Sequence, residues 1–496
     1  MYKDTTFPEI DEVLNKATTA FNLYKKYTLK QRADFMRAIA LEIDALGDEL
    51  ITIASAETNL PSTRLAGERA RTIFQLRSYA DAAEAGNWLN VSIDTALPER
   101  TPPKPDTRKT LVPLGPVVVF GASNFPFAYS TAGGDTACAF AAGCPVIVKA
   151  HPAHASTSEL VATAIFKAAA KCNLPEGVFA HVYGEGFETG EYLAKHHQVK
   201  AIGFTGSFSG GKALFDWANL REVPIPVFAE MGSINPVFLL PGKLAAETDS
   251  LAHQLAASVT LGMGQFCTNP GLMIAIDDDS LNRFIPQLKK EIETLAPSTM
   301  LHPGIANNYK AKLTQALAQK GVQLVGESNT QAKDGQGRIT IATATAETFL
   351  ANPVLHLEVF GPYSLIIQCK NKIEMLAVAK AIEGQLTTTL MANRADLNSH
   401  EDLLNAIQEI CGRLIFNNVP TGVEVAQSMH HGGPFPASTD SRFTSVGADG
   451  IKRFARPLCY QNCNDEFLPE ELKDANPLKI WRTVDNVLTQ DKIEKG

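Results

Sequence analysis

The feature that most limits this chain is a change of texture after residue 113. From there, short apolar runs recur with helix-length segments between them: Val117 to Phe120, Val146 to Lys149, Val178 to Tyr183, Ala201 to Thr205, Val227 to Ala229 and Val237 to Leu240. Strands that lack polar alternation must be covered on both faces, and a parallel neighbour is reached only through a crossover. The pattern predicts an α/β fold with a buried, mostly parallel sheet wrapped by helices.

A second unit of the same kind begins near Pro236, with a long helix around Leu251 to Met263, a strand Leu272 to Ile276 and later strands near Leu365 and Leu414. Ahead of both lies a helical region, Ile10 to Trp88, in which Phe35, Ile39, Ile43, Leu46 and Leu50 recur three and four apart up to a Gly86-Asn87-Trp88 turn. Pro98 to Pro113 is rich in proline and charge and suits an extended arm better than a core element. A length of 496 residues is compatible with about three units. Ligands of open α/β sheets bind at the carboxyl ends of the strands, so the first sheet is the natural dinucleotide site and the second supplies chemistry at a shared cleft.

Several functions are disfavoured. The net charge is −8, with no basic stripe to neutralise a phosphate backbone, so nucleic acid is not an expected partner. The low-charge stretch Phe125 to Val148 contains Asp135, several glycines and Pro145, and reads as buried helix and strand instead of a membrane span. The amino terminus lacks the apolar core of a secretory signal, and the eight cysteines show neither a Cys-x-x-Cys pair nor histidines at zinc-ligand spacing. A cytoplasmic chain with reduced thiols and no metal is the expectation.

Gly264-Gln265-Phe266-Cys267-Thr268-Asn269-Pro270-Gly271 lies where an apolar helix gives way to a turn before a strand. A cysteine among apolar residues is more often a packing residue. The surrounding Gly, Gln and Asn-Pro-Gly suggest instead a shaped loop, where a thiolate could add to an aldehyde. Glu230 ends the Val227 to Ala229 run, as a cap or as a carboxylate at the sheet's functional edge. Desolvation there is expected to raise its pKa toward the range of a general base. Asn124 directly follows the first strand, either as a turn former or as an amide donor to an oxyanion. Gly203 to Gly211, with Gly206 and Ser207, joins a strand to a helix and offers a weak phosphate signal without the Gly-x-Gly-x-x-Gly spacing. Lys149 ends a strand, and Glu358 and Phe360 precede a Gly-Pro turn.

In this order and spacing the motifs resemble the aldehyde dehydrogenase superfamily over nearly the whole chain. The resemblance implies two Rossmann-like doubly wound domains plus a small oligomerisation arm. Residues 1–97, 114–235 and 433–463 would bind the dinucleotide, 236–432 would form the catalytic domain, and 98–113 with 464–496 would form the arm and tail of a homodimer or homotetramer. It further implies Cys267 as nucleophile, Asn124 as oxyanion donor and Glu230 as the base for deacylation. Lys149 would meet the adenine ribose, Gly206 and Ser207 the pyrophosphate, and Glu358 the nicotinamide ribose, with Phe360 packed beside it. The implied mechanism is thiolate addition, hydride transfer and hydrolysis of a thioester. The presence of both glutamates argues against acyl transfer to coenzyme A.

Glu57 to Pro61, Arg64 to Glu68, the Lys149-Ala150-His151-Pro152 edge and His431 to Pro436 are similar to a subgroup containing 2-oxoglutarate semialdehyde dehydrogenases and an NADP-linked fatty aldehyde dehydrogenase. The implied substrate is a small oxo-acid semialdehyde, for which Arg442 and Arg413 are candidate anchors. A medium- or long-chain aliphatic aldehyde is the alternative; a non-catalytic scaffold and a cysteine hydrolase are readings from other classes. Pro152 stands where many relatives carry a glutamate that binds the adenosine ribose, which removes repulsion against a 2′-phosphate. Dual use of NAD and NADP with a lean to NADP is expected, although Glu185 and Glu188 oppose it. Pro434-Phe435-Pro436 replaces a lysine-containing stretch and leaves His431 as a possible neighbour of Cys267.

Overall fold

The computed structural model describes residues 2–494, and every count or absence below refers to these. β1 (Ser92–Asp94) and β2 (Thr107–Pro113) precede a first open sheet of β3 (Val117–Phe120), β4 (Val146–Lys149), β5 (Phe179–Val182), β6 (Ala201–Thr205) and β7 (Val227–Glu230). A second sheet follows, made of β8 (Val237–Leu239), β9 (Leu272–Ile276), β10 (Gln323–Glu327), β11 (Thr340–Thr345), β12 (Tyr363–Cys369), β13 (Gln385–Met391) and β14 (Cys411–Phe416). β15 (Ala455–Gln461), β16 (Arg482–Val484) and β17 (Val487–Thr489) return to β1 and β2 in a third sheet.

The first sheet runs β5-β4-β3-β6-β7 with every pairing parallel. The chain steps outward from β3 on one side and then on the other, so the switch point lies between β3 and β6, where an open sheet leaves a crevice at its carboxyl edge. Successive strand residues point to opposite faces. Val117, Val119, Val146 and Val148 accordingly pack on one layer, and Val118, Phe120 and Ile147 on the other. The doubly wound α/β expectation describes this sheet.

The second sheet runs β10-β11-β12-β9-β8-β13-β14, parallel except for the antiparallel edge strand β10. Phe238, Leu272 and Ile274 enter one core, and Val237, Leu239, Met273 and Ala275 the other. The sequence reading left out β10, β11 and β13, and one helix end differs from it. β13 was not anticipated because its Gln-Leu-Thr-Thr-Thr-Leu-Met does not read as an apolar run, yet Thr387, Thr388 and Thr389 are fully buried in it. The helix expected to reach Met263 ends at Thr260, and Leu261–Gly264 form a tight turn in which Gly262, Met263 and Gly264 all have left-handed φ, between 55° and 63°.

Helices Phe7–Tyr24, Leu29–Ala45, Gly47–Thr58 and Ser62–Ala85 fill the region read as helical, and Gly86 closes the last of them in the left-handed conformation. The Glu57 carboxylate accepts from the Ser156 and Thr157 amides (2.9 and 2.8 Å) and so caps the helix Ala155–Lys171 that follows β4. In the third sheet, β15 pairs antiparallel with all of β2, Thr107 to Pro113. β16 and β17 form a hairpin through left-handed Asp485 and Asn486, the geometry a two-residue primed turn requires. No described helix is long and apolar enough to cross a membrane.

Candidate active site

Glu230 is the last residue of β7, at the carboxyl edge of the first sheet, where it is buried. The loop that contains His431 runs back along this strand: Met231 N–H donates to Ala437 O (2.8 Å) and Thr439 N–H to Ala229 O (3.1 Å). His431, buried and 164 residues from Cys267 in sequence, thereby places Nε2 3.6 Å from Cys267 Sγ and 3.0 Å from Glu230 Oε1. Ser445 Oγ donates to Glu230 Oε2 (2.6 Å) and fixes the other side of that carboxylate. A thiol, an imidazole and a carboxylate thus meet on one nitrogen, a set able to move a proton off sulfur and to activate water.

The left-handed turn before Cys267 re-aims the chain from the helix into this cleft. Gly264 is required there, because a Cβ would lie 2.2 Å from Gly361 O. Asn235 Nδ2 donates to Cys267 O (2.8 Å) and Asn269 O (3.0 Å), while its Oδ1 accepts from Ser233 Oγ and Thr387 Oγ1. The unanticipated strand β13 therefore holds the nucleophile loop in place. Asn124 is part-buried, and its Nδ2 donates to Gln265 O (3.1 Å), two residues from Cys267. Glu68, one helical turn beyond Arg64, accepts from the Phe127 and Ala128 amides (2.9 and 3.0 Å) and anchors the far end of the Asn124 loop.

The electrostatics correct one expectation. Burial alone would raise the Glu230 pKa, but the neighbouring His431 and hydrogen bonds from His431, Ser445 and Cys267 outweigh it and hold the carboxyl below its ordinary value. Burial, then the negative charge of Glu230 and its hydrogen bond, push the Cys267 thiol well up, with a smaller push from Glu358; Arg413 pulls the other way. The resting sulfur is a thiol beside an ionised carboxylate, so it needs a base to become nucleophilic.

Of the residues read as cofactor contacts, Lys149, Gly206 and Ser207 lie at the same edge, and Glu358 and Phe360 on the loop before β12 of the second sheet. Thr205 pairs with Glu230 in register, which sets Gly206 and Ser207 next to β7, and the Gly206 amide donates to Glu230 O (3.0 Å). Ser207 Oγ caps the helix Phe208–Asn219 by accepting from Gly210 N–H. Lys149 ends β4, and burial lowers its pKa, with Asp4 offsetting. Glu358 and Phe360 line a cavity with Ser233, Ile234, Gly264 and Asn269. Burial pushes the Glu358 carboxyl up to about 7, against Lys312 and the Ser233 amide, and a Cβ on Gly232 would sit 2.6 Å from its Oε2. A carboxylate held this close to a side-chain-free residue, together with the small residues Gly206, Ser207, Ser209, Gly210 and Gly211 that flank Phe208 at the helix amino terminus, fits a dinucleotide laid along the strand ends.

Of the two arginines considered as substrate anchors, Arg413 faces Cys267, Glu230 and Tyr129, whereas Arg442 pairs with Asp440 on the surface. Arg413 donates to Gly422 O and Pro420 O, and its Nε is buried without a hydrogen-bond partner. Arg64, whose role sequence reading missed, lies over the rings of Phe125 (5.1 Å) and Phe266 (4.8 Å), the neighbours of Asn124 and Cys267. Its Nη2 donates to Asn124 O (2.7 Å), and its Nη1 is buried without a partner. Its clue in the sequence was an arginine one turn before Glu68, on a helix otherwise read only as structural.

A sequence profile of the aldehyde dehydrogenase family matches residues 2–454. Alpha-ketoglutaric semialdehyde dehydrogenase 2 of Azospirillum brasilense is 49% identical over 478 residues, covering 96% of this chain and 91% of the relative. Alpha-ketoglutaric semialdehyde dehydrogenase of Acinetobacter baylyi is 44% identical over 493 residues, covering 99% and 93%. The structure of glyceraldehyde-3-phosphate dehydrogenase from Methanocaldococcus jannaschii complexed with NADP superposes with a TM-score of 0.78 at 18% identity, over 93% of this chain and 95% of that one. That of 1-pyrroline-5-carboxylate dehydrogenase from Thermus with bound NAD gives 0.78 at 22% identity, over 92% and 86%. At these identities the two structures establish a shared fold.

Proposed function

The chain belongs to the aldehyde dehydrogenase family, and from that premise we propose that it oxidises 2-oxoglutarate semialdehyde to 2-oxoglutarate with a nicotinamide dinucleotide as oxidant. The reading of the substrate rests on Arg64. Its guanidinium lies over two adjoining aromatic rings beside the Cys267 loop with one N–H buried and unpaired, a site that a carboxylate at the substrate's far end would satisfy. Arg413, which faces Cys267 and Glu230, offers a second unpaired N–H. The names of the two relatives at 49% and 44% identity point to the same compound.

His431 Nε2 takes the proton from Cys267 Sγ, and Glu230 stabilises the imidazolium that results. The thiolate adds to the aldehyde carbon to give a thiohemiacetal, whose oxyanion is held by Asn124 Nδ2 and the Cys267 backbone N–H. Lys149, Gly206, Ser207, Glu358 and Phe360 would hold the dinucleotide, whose nicotinamide would supply the hydride acceptor. The thioester left on Cys267 is then hydrolysed by a water activated by Glu230, which its partners keep ionised. Removal of the Arg64 charge in Arg64→Met should lower kcat/KM for the semialdehyde roughly tenfold to a hundredfold, as for loss of a charged hydrogen bond. Turnover of decanal should be far slower in the wild type and little changed by the substitution. Preferred turnover of decanal would favour the aliphatic alternative.

For the cofactor we keep dual use with a lean to NADP, supported by Pro152 in place of a ribose-binding carboxylate. A preference for NAD above about tenfold, about 1.4 kcal/mol, would overturn it. We propose a dinucleotide-binding unit on the first open sheet and a catalytic unit on the second; β1 and β15, expected in the dinucleotide-binding unit, pair instead in the third sheet. We assign the third sheet, with exposed Val487 and Leu488 on its edge strand β17, to a homodimer or homotetramer contact. A monomer mass by light scattering would contradict that assignment.

A further inference from the structure

We propose that Cys267, His431 and Glu230 form a binding site for a thiophilic divalent ion of the zinc class, which holds the protein in a reversibly inhibited state. Their ligand atoms all lie within 4.8 Å of one another. Zinc bonds of about 2.3 Å to sulfur and about 2.0 Å to nitrogen at a tetrahedral angle set an S···N edge of about 3.5 Å. The edge between Cys267 Sγ and His431 Nε2 is 3.6 Å. The N···O edge expected from an oxygen bond of similar length is about 3.3 Å, against 3.0 Å between His431 Nε2 and Glu230 Oε1. Two of the three edges thus lie within about 0.3 Å of a tetrahedral site, and water would supply the fourth ligand.

The surrounding groups suit this use. Ser445 occupies Glu230 Oε2 and orients the carboxylate, as an outer-shell residue does at a metal centre, and leaves Oε1 facing His431 Nε2. His431 Nδ1 is unpartnered, so it can carry the ring proton and leave the Nε2 lone pair for the ion. The negative charge of Glu230 and Glu358 favours a cation, and the positive charge of Arg413 opposes it. On binding, a metal–sulfur bond forms, the Cys267 S–H bond breaks, and one proton passes to solvent with no change of oxidation state. That the ion blocks turnover rests on Cys267 being the nucleophile; that it binds does not.

The test is a titration of the full-length, reductant-free protein with cadmium, following the thiolate-to-cadmium charge-transfer absorbance, the metal bound per chain and the protons released. One ion per chain is expected, with the band retained in Cys459→Ser/Cys463→Ser, lost in Cys267→Ala and weakened at least tenfold in His431→Ala. Zinc should protect Cys267 of the wild type from iodoacetamide, and a chelator should restore its reactivity, which needs no variant to fold. A band that persists in Cys267→Ala, or wild-type Cys267 alkylated as fast with zinc as without, overturns the proposal. Binding at Cys267 that leaves turnover intact would instead overturn the nucleophile assignment.

Discussion

His431 Nε2 is the atom on which the chemistry turns. It faces Cys267 Sγ at 3.6 Å and Glu230 Oε1 at 3.0 Å, so a proton lifted from the thiol comes to rest beside a carboxylate. A buried thiol next to that negative charge reacts poorly unless the proton has somewhere to go. Alkylation of Cys267 by iodoacetamide at neutral pH should therefore fall by roughly a hundredfold in His431→Ala, the low end of a general base's contribution. Recovery of the rate at high pH would identify the loss as one of proton transfer, whereas an unchanged neutral rate would remove His431 from the scheme. Cys267, Glu230 and Asn124 were legible because each sits in a local pattern, a strand end or a turn. The contact of His431 with Cys267, expected from the altered loop after it, joins segments 164 residues apart; the direction of the Glu230 shift depends on that contact and has no local pattern to reveal it.

Among the elements, the turn Leu261–Gly264 and the strand β13 do the positioning. Gly264→Ala places a Cβ against Gly361 O at 2.2 Å in a left-handed residue, and overpacking with backbone strain should cost roughly 3 kcal/mol. The expected outcome is a lower apparent Tm together with a larger loss of kcat, since the same shift moves Cys267. An unaltered Tm would mean that the turn adapts freely. The core strands could be read because valine and isoleucine runs have one use in an α/β protein. β13 could not be read by apolarity, since its threonines are buried for their shape and hydrogen bonds; β-branching was the signal available. The end of the helix at Thr260 was hidden because Leu-Gly-Met continues an apolar pattern, and only the packing of Gly264 on Gly361 demands the kink.

Across the whole molecule, the two open sheets each give one acid to the cleft between them: Glu230 from the end of β7, and Glu358 from the loop before β12. Glu358 is pushed up to about 7 by burial, so its carboxylate form is disfavoured in the fold. Its ionisation therefore lowers stability as pH rises from the ordinary carboxylate range through about 7, and protonation on the acid side restores it. Dinucleotide binding has the opposite slope, because a ribose hydroxyl needs the ionised acceptor. Affinity should rise with pH through about 7 in the wild type, and calorimetry should find that slope absent in Glu358→Gln. The same slope in that variant would place the acceptor elsewhere. The order of motifs along the chain made this architecture legible, whereas the grip on the substrate was not, because Arg64 comes from the amino-terminal helices.

The central claim is that Cys267 carries the substrate as an acyl group and Glu230 releases it. Its most direct measurement is the mass of the Glu230→Gln protein quenched after mixing with 2-oxoglutarate semialdehyde and dinucleotide. One 2-oxoglutaryl adduct should appear on the Cys267 peptide, with about one equivalent of reduced nicotinamide per chain and slow turnover after it. Reduced nicotinamide formed with no adduct on Cys267, or formed undiminished by Cys267→Ala, would contradict the account.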